Sequence, residues 1–164
     1  MKHKLFALVL LITLLLSACG APAATELPVD GKLNIIVSIL PQKYFVERIG
    51  GSFVNVSVMV QPGESPATYE PKPNQMTELT KSAAYVSIGV PFEKAWLGKI
   101  QAVNPNIMMV DTTQGIERKA TTDSGFDPHI WLSPSLVKIQ SQTIYNALAE
   151  LDPAHAADYQ SNLE

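Results

Sequence analysis

The sequence predicts an α/β fold: a parallel four-stranded sheet with flanking helices. Three observations carry that reading. Short apolar runs of strand length recur along the chain, stretches of about ten residues with helical apolar spacing separate them, and glycine or proline punctuates the junctions.

The first run, Leu33 to Ile39, is almost continuously apolar, as expected of a strand covered on both faces of a parallel sheet. Pro41 then sits where a helix starts without losing a hydrogen bond; Tyr44, Phe45, Val46 and Ile49 form its apolar stripe and Gly50-Gly51 ends it. Val54 to Val60 alternates and then turns fully apolar, a second strand that completes a β-α-β start. After a proline-rich loop from Gln61 to Pro73, Asn74 is placed to cap a helix with Met76, Leu79 and Ala83 facing inward. Ala84 to Gly89 is the third strand. Phe92 to Val103 is a helix with Phe92, Trp96, Leu97 and Ile100 at helical spacing, and Asn106 to Asp111 is the fourth strand. Gln114 to Asp127 is polar and without period, a connecting loop. Ser133-Pro134 opens a long helix in which Leu136, Val137, Ile139, Ile144, Leu148 and Leu151 fall near one stripe. Asp152-Pro153 punctuates it. Ala154 to Glu164 begins a further helical segment, with Tyr159 and Leu163 as its first inward positions and no cap at Glu164, so it reads as the start of a longer element.

The N-terminus is an address. Lys2 and Lys4 precede the apolar core Leu5 to Leu16, whose length of about a dozen residues suits a signal peptide better than a membrane span of about 20. Leu16-Ser17-Ala18-Cys19 resembles the bacterial lipobox, which implies cleavage after residue 18 and a lipid on Cys19. Residues 19–31, rich in alanine and proline, suit a tether, and the folded part is expected from residue 32. Localisation is therefore expected to be extracytoplasmic, anchored to the outer face of the cell membrane or periplasmic. Cys19 is the single cysteine, so the remaining domain can form no internal disulfide and no thiolate metal site.

Removing the signal leaves about 146 of the 164 residues, enough for one well-cored domain and too few for two lobes. The formal charge of −3 becomes about −5 once Lys2 and Lys4 leave, and no basic cluster remains, which argues against nucleic acid as a partner.

The stretch richest in chemistry is Asp127-Pro128-His129-Ile130-Trp131: one imidazole held between a rigid proline and two bulky apolar residues, as suits presentation to a metal or ligand. Pro62-Gly63-Glu64-Ser65-Pro66-Ala67-Thr68-Tyr69-Glu70-Pro71 follows the second strand and could form the opposite wall of a cleft. Plainer readings stand beside these. His129 could rest on a backbone carbonyl, Asp127 could be a turn residue instead of an orienting acceptor, Glu70 a buried structural acceptor, Glu64 a solvated carboxylate, Trp131 packing, and His155 a surface residue. No His pair at i, i+4, no glycine-flanked serine elbow and no phosphate-loop pattern occurs, so no enzyme activity is expected.

Together, Asn34-Ile35-Ile36-Val37-Ser38-Ile39-Leu40-Pro41, Ile49-Gly50-Gly51, the Pro62 to Pro71 loop and Asp127-Pro128-His129-Ile130-Trp131-Leu132 resemble the cluster A-I zinc and manganese ABC-transporter solute-binding lipoproteins. The resemblance runs from Leu33 to Glu164. It implies a two-lobed periplasmic-binding-protein-like fold in which residues 32–151 are the N-terminal lobe and residues 152–164 the start of the interlobe helix, where the chain stops. It also implies an ABC permease as partner, a divalent zinc or manganese ion as the transported ligand with no organic cofactor, and a monomer. In the family two histidines come from this lobe. His129 matches the second, and the first falls on Ala67, which has no donor atom.

One imidazole is a poor zinc site, since zinc takes four donors or three plus water. Either a different donor compensates, with Glu64 and Glu70 the nearest carboxylates, or the ligand is not zinc; exchanging histidine for carboxylate shifts preference toward manganese. Tyr69 and Asp127 are further candidates for the pocket or its support. Two other readings remain: a surface lipoprotein for adhesion, or a truncated relative, that has lost metal binding at Ala67; and an α/β enzyme, against which the missing catalytic pairs stand.

Overall fold

The computed structural model describes residues 31–122 and 125–164. The signal peptide, Cys19 and most of the tether lie outside them. Four strands, β1 (Leu33–Val37), β2 (Val54–Val58), β3 (Ala84–Ser87) and β4 (Met108–Asp111), form one sheet in the order β2-β1-β3-β4. All three ladders are parallel. The helices are α1 (Leu40–Gly50), α2 (Pro73–Leu79), α3 (Glu93–Val103), α4 (Pro134–Leu151) and α5 (Ala156–Leu163).

Strand alternation sorts the core into two layers. Leu33, Ile35 and Val37 face one side with Val54, Val86 and Val110, packing against Val46 and Ile49 of α1, Ile144 and Leu148 of α4 and Tyr159 of α5. Ile36 and Tyr85 face the other, against Leu79 of α2 and Ile100 of α3. Because α1 covers one face and α2 and α3 the other, the chain changes direction between β1 and β3, and the loops leaving the C-terminal ends of the strands diverge there. In such open sheets that is where ligands bind.

Local details correct several sequence expectations. Tyr44 is 65% exposed, because only the Val46 and Ile49 side of α1 meets the sheet. Asn74 does not cap α2: the helix starts two residues earlier, at Pro73, Lys72 is the N-cap, and its N–H donates to Gln75 Oε1 at 2.9 Å. On α4, Ile139 points to solvent and Gln140 is fully buried, its amide donating to Ile130 O at 3.2 Å. The polar loop after β4 is not featureless, since Ala120 and Phe126 form an antiparallel bridge. His155 is not a free surface residue: it stacks on Phe53 at 3.8 Å between ring centroids, and its Nδ1 lies 2.6 Å from Asp152 Oδ2. Tyr159 and Leu163 do face inward, and Asn162 ties α5 to Ile49 O of α1 at 2.9 Å.

Candidate metal centre

His129 is delivered by the loop between β4 and α4. That loop folds on itself: the Asp127 N–H donates to Lys119 O at 2.8 Å, Thr121 N–H donates to Gly125 O at 2.9 Å, and the Arg118 guanidinium lies 4.9 Å from the Phe126 ring centre. Immediately after His129 the chain tightens into a 3-10 turn, Ile130–Leu132. Ile130 is buried in the core layer of α2 and α3 and Trp131 packs against that layer, which anchors the turn from below. The imidazole leans on Trp131, ring centres 4.9 Å apart.

Asp127 fixes the ring. Its Oδ1 accepts the His129 backbone N–H at 2.9 Å and lies 2.7 Å from Nδ1. With Nδ1–H directed at a carboxylate, the Nε2 lone pair is left for a ligand, and the side chain is 59% exposed, so that lone pair is accessible. The His129 backbone N–H, and then its ring, hold the Asp127 carboxyl below the usual carboxylate range. A depression of about 300 Å³ beside the ring is lined by Asp127, Glu117, Arg118, Lys119, Leu132 and Ser133.

The second loop, Gln61 to Lys72, leaves β2 at the same end of the sheet. Ala67 is exposed there and offers no donor. Glu64 is not a free ligand: Lys72 Nζ lies 2.8 Å from its Oε1, the Gln61 N–H donates to Oε2 at 3.0 Å, and the lysine's hydrogen bond holds its carboxyl low. Tyr69 is buried, donates its hydroxyl to Gln75 Oε1 at 2.5 Å and meets Phe92 edge-on, so it supports the loop from inside; burial pushes its phenol up. Glu70 is exposed, against the reading of a buried acceptor, and shares a shallow depression with Glu64, Ser65, Thr68 and Tyr69. Among the described residues no three His, Cys, Asp or Glu side chains converge to hold an ion.

Sequence reasoning missed the polar layer beneath these loops. Glu93, 2% exposed at the start of α3, accepts the Ile88 N–H at 3.0 Å and the Gly89 N–H at 2.7 Å, and its Oε1 also takes the Ser38 hydroxyl. Ser38 Oγ lies 2.6 Å from Tyr85 OH. Burial pushes the Glu93 carboxyl up while those three donors oppose it. In sequence Glu93 is indistinguishable from an ordinary acid in a helix's first turn, and no signal marks it as buried.

The model for the periplasmic component A of zinc-uptake complexes, ZnuA, matches residues 35–164. The chain belongs to the ZnuA family. Within that family, the manganese-binding lipoprotein MntA of Halalkalibacterium halodurans is 30% identical over 167 residues, covering 100% of this chain and 55% of its own length. The manganese ABC transporter substrate-binding lipoprotein scaA of Streptococcus gordonii is 26% identical, covering 99% of this chain and 56% of its own. A crystal structure of ZnuA is similar at a TM-score of 0.77 and 50% identity, covering 80% of this chain and 52% of that one. The chain thus spans about half the length of the relatives it matches, and its parallel sheet with flanking helices corresponds to one lobe of ZnuA-like binding proteins.

Proposed function

We propose that this chain is the N-terminal lobe of an extracytoplasmic solute-binding protein that captures a divalent metal ion, zinc or manganese, for an ABC importer. The observation that carries this reading is the Asp127–His129 pair, an exposed imidazole with Nδ1 tied to a carboxylate and Nε2 left as donor at the ligand-binding end of the sheet. Capture is a binding event, and no bond of the cargo is made or broken. The remaining donors come from a second lobe, with residues 152–164 as the start of the helix that leads to it. Glu117 and Asp127 line the His129 depression beside Arg118 and Lys119, so the charges there balance and do not by themselves choose between zinc and manganese. Cleavage before Cys19 and lipidation there would hold the protein at the membrane face, where a permease receives the ion.

Metal content of the purified two-lobed protein that this reading proposes tests it. Stoichiometric zinc or manganese that disappears in His129→Ala is expected; no metal under conditions that load related carriers rejects the reading. This chain by itself should bind zinc no tighter than about micromolar, since a zinc site requires more donors than it supplies. Ala67 favours a second reading, a surface lipoprotein for adhesion that has lost its metal, for which the same measurement finds none.

A further inference from the structure

The turn between β3 and α3, residues 88–92, touches both the loop that holds Ala67 and the loop that delivers His129. On one side the Phe92 N–H donates to Pro66 O at 3.1 Å, and the Phe92 ring meets Tyr69 edge-on at 5.3 Å, so this turn carries the loop that holds Ala67. On the other side Gly89, at φ +80°, lies directly beneath the loop that delivers His129: a Cβ there would clash with Arg118 Nη1 and come within 3.3 Å of the Thr113 methyl. One side chain pins the turn. Glu93 binds the Ile88 and Gly89 N–H groups and the Ser38 hydroxyl, and Ser38 also ties the turn to the end of β1. Gln42, fully buried on α1, extends the layer by accepting the Ser38 N–H at 3.1 Å and reaching Thr112 Oγ1 at 3.5 Å. Loops from three strand ends are thereby bound to one carboxylate and its neighbours.

We propose that Glu93 is a positioning residue for the cleft, holding the 88–92 turn so that the Ala67 loop and the His129 loop keep a fixed separation. An apolar side chain in the same space would leave the Ile88 and Gly89 N–H groups and the Ser38 hydroxyl without this acceptor, so the carboxylate favours the one arrangement in which all three converge on it. A metal site needs that specification, because ligands must be held to within about 0.5 Å of productive geometry. The inference rests on the metal-capture reading for its purpose, but the mechanical coupling between the loops does not.

The test uses the full chain and the variant Glu93→Gln, which sets an amide N–H₂ against the Gly89 N–H or the Ile88 N–H. In metal-free protein the backbone amide resonances of residues 65–69 and 113–119 and of His129 should move together with those of 88–92, while α4 and α5 stay in place. In the proposed two-lobed protein, apparent zinc affinity should fall roughly tenfold, the scale seen when a ligand's supporting partner is lost. Shifts confined to residues 88–93 overturn the proposal. If Glu93→Gln gives no folded spectrum, Ser38→Ala, which removes one donor and leaves the carboxylate, must show the same pattern at smaller amplitude, and its confinement to the turn overturns the proposal equally. Absence of zinc binding by the wild-type form of the proposed two-lobed protein would count against the metal-capture reading alone, because the metal-free spectra of this chain decide the coupling separately.

Discussion

Asp127 Oδ1 lies 2.7 Å from His129 Nδ1 and 2.9 Å from the same residue's backbone nitrogen, so one oxygen sets both the orientation and the tautomer of the ring. Asp127→Asn keeps an acceptor but removes the charge that makes Nε2 a better donor. In the proposed two-lobed protein the expected loss of zinc affinity is about tenfold to a hundredfold, measured by competition with a chromogenic chelator. An unchanged affinity would place Nε2 outside the site.

Restoring the histidine expected at position 67 should tighten zinc binding. Ala67 is exposed on the loop whose backbone is held to Phe92, so an imidazole there has room. In the same protein Glu64→Gln should leave metal binding unchanged, because that carboxylate is already occupied by Lys72 and the Gln61 N–H. If a carboxylate does replace the missing ligand it is Glu70, and Glu70→Gln should then weaken manganese binding. Isothermal titration with each metal separates these outcomes.

Two helical glycines should respond oppositely to alanine. Gly98 lies within α3 with nothing inside 4 Å of its added Cβ, so Gly98→Ala should stabilise by about 0.4 to 1 kcal/mol through the unfolded state. At Gly50 the new methyl would overlap the Val54 side chain, buried where β2 meets α1. Gly50→Ala should cost roughly 1 to 3 kcal/mol through overpacking. Urea midpoints at neutral pH read both.

Acid should loosen α5. Burial works against the Asp152 carboxylate, but the His155 ring and the Tyr159 hydroxyl, 2.6 and 2.8 Å from its Oδ2, more than compensate and hold its carboxyl below the usual range. A carboxyl lower in the folded than in the unfolded chain contributes stability above its unfolded value, near 3.9, and loses it as pH falls through the folded value. Thermal midpoints should therefore drop below about pH 4, and Asp152→Asn should flatten that part of the curve while costing about 1 to 3 kcal/mol at neutral pH by weakening two bonds to a buried acceptor. A wild-type curve that is flat between pH 5 and 2 contradicts the assignment.

Much of the fold was legible because burial leaves a period in the chain whatever the partner is. Leu33 to Val37, Val54 to Val58 and Ala84 to Ser87 form strands at the expected places, and the stripes of α3 and α4 hold apart from Ile139. Tyr44 and Ile139 were misjudged because the hydrophobic scale ranks residue types, whereas exposure at those two positions is set by which side of α1 and α4 meets the sheet. Of the candidate site, Asp127 and His129 are two residues apart, so their contact follows from local geometry. For Glu64 the sequence shows the carboxylate but not its pairing with Lys72, eight residues on, which the fold of the loop makes.

What the sequence determined by itself is therefore the α/β alternation, the loop that presents His129 and the lack of a donor at residue 67, since each depends on residue type and short spacing. Tertiary structure alone decided that Glu93 is buried, that it meets a serine 55 residues away, and that His155 rests on Phe53. The physical reason is that desolvation and pairing of a polar group depend on which distant segments converge on it, and nothing in its own neighbourhood along the chain records that convergence.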